Sequence, residues 1–173
     1  MYHILLILAH FVPMKPNIFG FTNSLYNVNC MRREVNFVKI SSRGRYALRI
    51  MIDIAENSAA GRVTIKDISE RQDISVKYLE QIVTHLKRAK LLRSERGSHG
   101  GYMLTKKLED YTAGEIIRAI EGDLAPVSCL ADENNYCERK DFCPTLVFWK
   151  ELYKMIDKYV DSITLENLIT FGK

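Results

Sequence analysis

Three cysteines fall within fifteen residues: Cys129, seven intervening positions, Cys137, five more, then Cys143. Thiolates are soft ligands, suited to an iron–sulfur cluster or to zinc. The spacing lacks the paired CxxC knuckles of structural zinc sites, and the same absence argues against dithiol redox catalysis. The polar turn formers Asp132-Glu133-Asn134-Asn135 place the thiols in a loop over residues 123–143. Cys30 lies far upstream and is assigned no role. A secreted disulfide framework shows an even set of cysteines spread through a loop-rich chain. The clustering here points instead to metal or redox chemistry in a reducing cytoplasm.

A second chemistry is written in the charge distribution. The 173 residues carry a net charge of only +4, yet residues 39–107 hold 15 Lys/Arg against 7 Asp/Glu. Residues 108–173 hold 7 against 13. One half is attracted to a polyanion and the other is not, which fits a nucleic-acid-binding domain joined to an acidic sensing or assembly region. Hydrophobic residues make up 47% of the chain, enough for a packed core. There is no nucleophile–base arrangement, phosphate-binding glycine loop or acid pair, so an enzyme is not expected.

The elements that must position these residues follow from periodicity. In 42–57, Tyr46, Ala47, Ile50, Met51, Ile54 and Ala55 share one helical face, with Arg43, Arg45 and Arg49 lying off it. Thr64 and Asp67 have capping-box spacing for a short second helix over about 64–71. Ser75 is a candidate N-cap for a third helix reaching about Lys90, with Leu79, Ile82, Val83 and Leu86 as its buried stripe. Two helices across a tight turn make a helix-turn-helix. Residues 91–96 and 102–105, flanking Gly97-Ser98-His99-Gly100-Gly101, then read as a β-hairpin. The combination is a winged helix.

Thr112 and Glu115 form a second capping-box pattern, opening a helix with Ile116, Ile117 and Ile120 on one face and Gly122 as its stop. Pro144 suits the first position of a final helix to about residue 160. Its apolar seam is Trp149, Leu152, Tyr153, Ile156 and Val160, followed by Ile163. The expected fold class is therefore mainly α: a winged helix-turn-helix domain with a two-stranded wing and a long C-terminal dimerisation helix. The expected divisions are 1–37, an extension that is disordered or foreign to the native protein; 38–107, the winged helix; 108–143, a helix and the cysteine loop; and 144–173, the dimerisation helix and tail. Residues 1–37 carry an apolar run, Ile4 to Ala9, too short to span a bilayer, and lack the basic start of a signal peptide. Patterning begins abruptly at Val38, where an internal start codon would decode as valine.

Five stretches carry a resemblance: KISSRGRYALRIMIDIA (39–55), ISERQDISVKYLEQI (68–82), RGSHGGYMLTK (96–106), AGEIIRAIEG (113–122) and SITLENL (162–168). Together they resemble the IscR/NsrR/CymR-type (Rrf2) family of winged helix-turn-helix transcriptional regulators. The resemblance implies homodimers on semi-palindromic promoter DNA, with a signal read by the cysteine loop. It implies a cluster, commonly 2Fe-2S, on Cys129, Cys137 and Cys143 plus one further ligand. One branch places a histidine three residues after the last cysteine, where this chain has Leu146. The fourth ligand stays open among Asp132, Glu138, Asp141, a residue of the partner subunit or an exogenous thiol. A cluster-free regulator of cysteine or sulfur metabolism, controlled by a partner protein or by thiol redox state, is the alternative.

For DNA, the first turns of the third helix offer Ser75, Lys77, Tyr78, Glu80 and Gln81. Gln81 can pair bidentately with adenine and Glu80 can accept from cytosine, and the resemblance supports both as readers. Glu80 as a plain solvated helix residue is the competing reading. Lys77 fits a phosphate. The resemblance sets Arg96 at the wing tip, where an arginine is drawn into a narrow minor groove, and Gly97 lets the backbone turn there. Arg43 and Arg45 are candidate phosphate anchors. His99 is expected to be exposed without a role.

Overall fold

The computed structural model describes residues 40–58, 61–95, 97, 100–131 and 137–172. The expected extension 1–37 with Cys30, and also Arg96, His99 and Asp132, lie outside the described residues.

Helix α1 (Ser42–Asn57) starts where Ser41 Oγ accepts hydrogen bonds from the Arg43 and Gly44 amides. Its apolar stripe falls where periodicity puts it. Ala47, Ile50, Met51 and Ile54 are fully buried, and the three arginines are exposed. Helix α2 (Ile65–Gln72) carries the complete capping box, Thr64 accepting from the Asp67 amide at 3.2 Å and Asp67 from the Thr64 amide at 3.3 Å. The turn Asp73-Ile74-Ser75 puts Asp73 in the left-handed region at φ 52° and drives Ile74 into the core.

Helix α3 (Val76–Arg88) buries Leu79, Ile82, Val83 and Leu86 as expected, but stops two residues before Lys90. Lys90 adopts φ 60°, and the Leu91 amide reaches back to the Leu86 carbonyl at 2.9 Å. With Leu91 fully buried, this is a Schellman-type stop with its hydrophobic contact.

Strands β1 (Leu92–Glu95) and β2 (Gly101–Leu104) pair antiparallel, Leu92 opposite Leu104 and Glu95 opposite Gly101. Val63 adds one antiparallel bridge to Tyr102. That bridge gives Gly101 a packing role: a Cβ there would meet the Val63 carbonyl oxygen at 2.8 Å. The base of the wing is tied to the core by Tyr111. Its buried hydroxyl donates to the Leu91 carbonyl at 3.0 Å and accepts from the Thr105 and Lys106 amides at 2.6 and 2.8 Å.

Helix α4 (Ala113–Glu121) begins with only half of its expected capping box. Thr112 accepts from the Glu115 amide, but the Glu115 carboxylate turns to the Lys106 ammonium at 2.5 Å, a stronger partner than a neutral amide. Gly122 ends it at φ 80°. Short helical turns follow at α5 (Ser128–Ala131) and Lys140–Phe142. Helix α6 (Leu146–Ser162) starts later than Pro144 predicts. A proline pushes its predecessor into extended backbone, as seen at Cys143 with ψ 111°, and Pro144 and Thr145 then form the turn that precedes the helix.

The tail is also helical. α7 (Leu165–Phe171) opens with a capping box between Thr164 and Asn167 and buries Leu165 completely. It is held by the Leu165 amide on the Tyr111 carbonyl at 3.0 Å, beside the Ala113 amide on Ile163 at 2.8 Å. The result is mainly α with a two-stranded wing, as expected. Among the described residues no helix is long and apolar enough to cross a membrane.

One buried polar group organises the helix-turn-helix. Asp53, on α1, accepts from Arg71 at 2.6 and 3.0 Å and from Gln72 at 2.9 Å. Arg49 in turn donates to the Gln72 side chain and carbonyl, both at 2.9 Å. Four side chains thus lock α1 to the end of α2, one short turn before α3.

Candidate nucleic-acid interface and cysteine loop

Because α3 buries Leu79, Ile82, Val83 and Leu86, its opposite face must face outward, and Ser75, Lys77, Glu80 and Gln81 are all exposed on it. Ser75 is the N-cap residue yet makes no side-chain cap, so its hydroxyl is not committed to the helix. Lys77, Glu80 and Gln81 line a groove of about 470 Å³ with Thr84, His85 and Arg43. Arg43, from the start of α1, is therefore brought to the recognition face. Arg45 does not line that groove; its guanidinium donates to Ser42 Oγ at 3.0 Å.

Tyr78 also has a packing role. It is half-buried and meets Tyr46 edge to face, ring centroids 5.9 Å apart, so part of its role is to fix α3 on α1. Gly97 sits at φ 116°, a conformation that suits glycine, at the turn of the wing. On the wing, burial and the nearby charge of Glu80 push the Tyr102 phenol up, which puts the Glu80 carboxylate within electrostatic reach of β2. Thr84 and His85 were missed in the sequence, although Thr84 stands seven residues after Lys77, on the same helical face.

The three cysteines occupy separate short elements. Cys129 lies in α5, Cys137 enters the turn before Lys140–Phe142, and Cys143 follows it; all three are half-buried free thiols. Cys143 Sγ lies 3.4 Å from Thr145 Oγ1, and this hydrogen bonding holds its thiol below the ordinary value. Among the described residues no three His, Cys, Asp or Glu side chains stand close enough to hold a metal ion. The donor chemistry suits a cluster, but the loop must draw its thiols together to use it. Glu138 and Asp141 are exposed beside them.

Both ends of that loop are attached to α6. At its start, Asp123 accepts from the Tyr153 hydroxyl at 2.6 Å and from the Ala125 amide at 2.5 Å. The carboxylate bond and partial burial push the Tyr153 phenol up to about 12. At its end, Cys143 lies three residues before the first turn of α6. The far half of α6 is clamped to α4, Arg118 reaching Asp157 at 2.6 Å and Asp161 at 2.7 and 3.0 Å. Gly114 permits this approach, since a Cβ there would collide with Asp161 and Val160.

The predicted seam of α6 is half-buried throughout, and no residue of the helix is fully buried. A second apolar face is open: Val147, Phe148, Met155 and Tyr159 are 71, 60, 62 and 67% exposed.

A family model described as an iron-dependent transcriptional regulator, Rrf2, matches residues 40–170. This chain belongs to the Rrf2 family. It is 40% identical over 132 residues to protein rrf2 of Nitratidesulfovibrio vulgaris, covering 76% of this chain and 87% of that protein. It is 38% identical to the transcriptional regulator IscR of Escherichia coli over 132 residues, covering 76% and 80%. Among solved structures, CymR, the global cysteine regulator of Bacillus subtilis, is similar at 36% identity with a TM-score of 0.62, covering 77% of this chain and 97% of that one. The winged-helix fold and the role of DNA-binding transcriptional regulator follow for this Rrf2 protein, and an enzymatic role does not.

Proposed function

We propose that this Rrf2 protein is a homodimeric regulator whose choice of promoter is set by an iron–sulfur cluster, of the 2Fe-2S type, on Cys129, Cys137 and Cys143. The observation that carries this reading is the tie between the start of the cysteine loop and α6 through Asp123 and Tyr153, while Cys143 at its end leads into the same helix three residues on. The cluster supplies a ligation state that responds to iron supply or to oxidants. The chain's own residues do the rest. Asp123 and Tyr153 transmit the loop's position to α6, and Arg118 with Asp157 and Asp161 gives α6 a fixed point on α4. Through α4, which packs on α1 and α3, the tilt of α6 bears on the recognition face.

The open face of α6 supports a dimer. Phe148, Met155 and Tyr159 of that face, with half-buried Leu152 between the first two and polar Ser162 beyond, alternate at steps of four and three, the spacing of a coiled-coil seam. An antiparallel pair about a two-fold axis sets Glu151 of one copy near Lys158 of the other, opposite in charge. Such a dimer presents two recognition helices to half-sites one turn apart. On the DNA, Gln81 and Glu80 read base edges, Ser75, Lys77, Arg43 and Arg45 hold phosphates, and Tyr78 steadies the helix. Arg96 and Gly97 serve the wing tip in the minor groove.

The likeness to a cysteine regulator and the lowered Cys143 thiol favour one second reading, a cluster-free protein controlled through thiol state or a partner. An anaerobic absorbance spectrum separates the two. The cluster reading expects visible bands that vanish in Cys137→Ala. A colourless wild type, or a variant with the full spectrum, overturns it. In parallel, Met155→Glu is expected to sediment as a monomer at micromolar concentration.

A further inference from the structure

A helix in the major groove presents one face to the DNA, and positions i, i+3, i+4 and i+7 share that face. Starting at Lys77, those positions are Glu80, Gln81 and Thr84, and all four line the same groove. From the first to the last the helix rises roughly 10 Å, about three base-pair steps. Thr84 is exposed.

What Thr84 offers to a base is decided by its hydroxyl. Oγ1 donates to the Glu80 carbonyl at 2.6 Å, one turn back along α3. With that donor spent on the backbone, Thr84 can offer the groove no proton, only its γ-methyl and the remaining acceptor capacity of Oγ1. The γ-methyl is the larger of the two surfaces, and replacing thymine by deoxyuridine separates them. The natural complement of a methyl in the major groove is the C5-methyl of thymine, which marks a T·A pair apart from the other three. The geometry points to Thr84 as a specificity-determining residue that selects thymine by methyl–methyl contact, about one base step beyond the pair read by Gln81. This rests on the reading of α3 as the recognition helix.

The test uses the full-length protein and a duplex that it selects from a random-sequence pool. Each thymine of one half-site is replaced in turn by deoxyuridine, which lacks only the methyl group. Wild type is expected to weaken about fourfold at one thymine, the value of a single buried methyl. Thr84→Ser keeps the backbone bond but removes the methyl, and is expected to bind the thymine and deoxyuridine duplexes equally. Thr84→Val keeps a methyl and is expected to retain the discrimination. The inference is overturned if wild type is indifferent at every thymine, if the selected half-site holds no thymine, or if Thr84→Ser discriminates as wild type does. Failure of the pool to yield any preferred sequence removes the recognition-helix reading itself.

Discussion

Replacing Arg71 by methionine tests whether the buried carboxylate of Asp53 holds the helix-turn-helix together. Asp53 is 2% exposed at its side chain and takes three hydrogen bonds, two of them from Arg71. The variant leaves the charge in place with only Gln72 as donor. Removing one partner of a buried pair costs about 3–5 kcal/mol. Arg71 itself is 36% exposed, so water can enter where its guanidinium was, and the lower end, about 3 kcal/mol, is expected. For a domain of this size that corresponds to a fall in Tm of roughly 10 °C. Adding Asp53→Leu removes the stranded charge and is expected to recover most of the loss. Thermal and urea unfolding of both single variants and the double variant give the cycle, with exposed Lys77→Met as control. If Arg71→Met costs no more than the control, or if the second substitution deepens the loss, the assignment of Asp53 as the lock is wrong.

Lys77→Ala is expected to weaken binding to all duplexes alike and to lower the salt slope by about 0.9, whereas Gln81→Ala should cost about 1–3 kcal/mol at one base pair and relax selection there; competition binding at several salt concentrations distinguishes them. Tyr153→Phe removes a largely exposed bond to Asp123 of about 0.5–1 kcal/mol, so the ratio of DNA affinities with and without the cluster should shrink two- to fivefold while the absorbance spectrum is kept. Arg118 holds the Asp161 carboxyl below its ordinary value of 3.8. A lowered folded value means that the stabilisation is complete above the unfolded value and is lost as pH falls through the folded one. Asp161→Asn should therefore cost under about 1 kcal/mol at neutral pH, the pair being partly exposed, and progressively less as the pH falls below 3.8, as followed by acid unfolding.

What the sequence shows well is what neighbours along the chain decide. The stripes of α1 and α3 and the box at Thr64 follow from spacing alone, because each is set within one or two turns. The end of α3 escapes that logic, since Lys90 leaves the helix in order to bury Leu91 against elements distant in sequence. α7 is hidden for the same reason. Its seven residues are too few to signal a helix by period, and it is secured through Leu165 and Tyr111. The site divides likewise. Lys77, Glu80 and Gln81 are readable from their place in the first turns of a helix, whereas Thr84 lies one turn further along the same face. Asp53 looks like a surface residue until Arg71 and Gln72 come from another helix to cover it.

The attachment of the cysteine loop limits how a signal can travel. Arg118 reaches Asp157 and Asp161, in the last two turns of α6, whereas Tyr153 and the Cys143 end lie toward its start. If ligation draws the three thiols together, it must therefore act on the first half of a helix whose second half is held on α4. A pull there tilts α6 about the clamp more readily than it slides it, since sliding breaks two carboxylate bonds at once. The exposed residues Val147 and Phe148 belong to the half that moves. In the proposed dimer, a tilt then changes how two copies meet, and hence the separation of their recognition helices, without altering any residue assigned to DNA. On this argument the loaded and unloaded proteins should differ in preferred half-site spacing more than in preferred bases. Selection from random pools under the two conditions decides it: a change in bases at unchanged spacing would refute the lever.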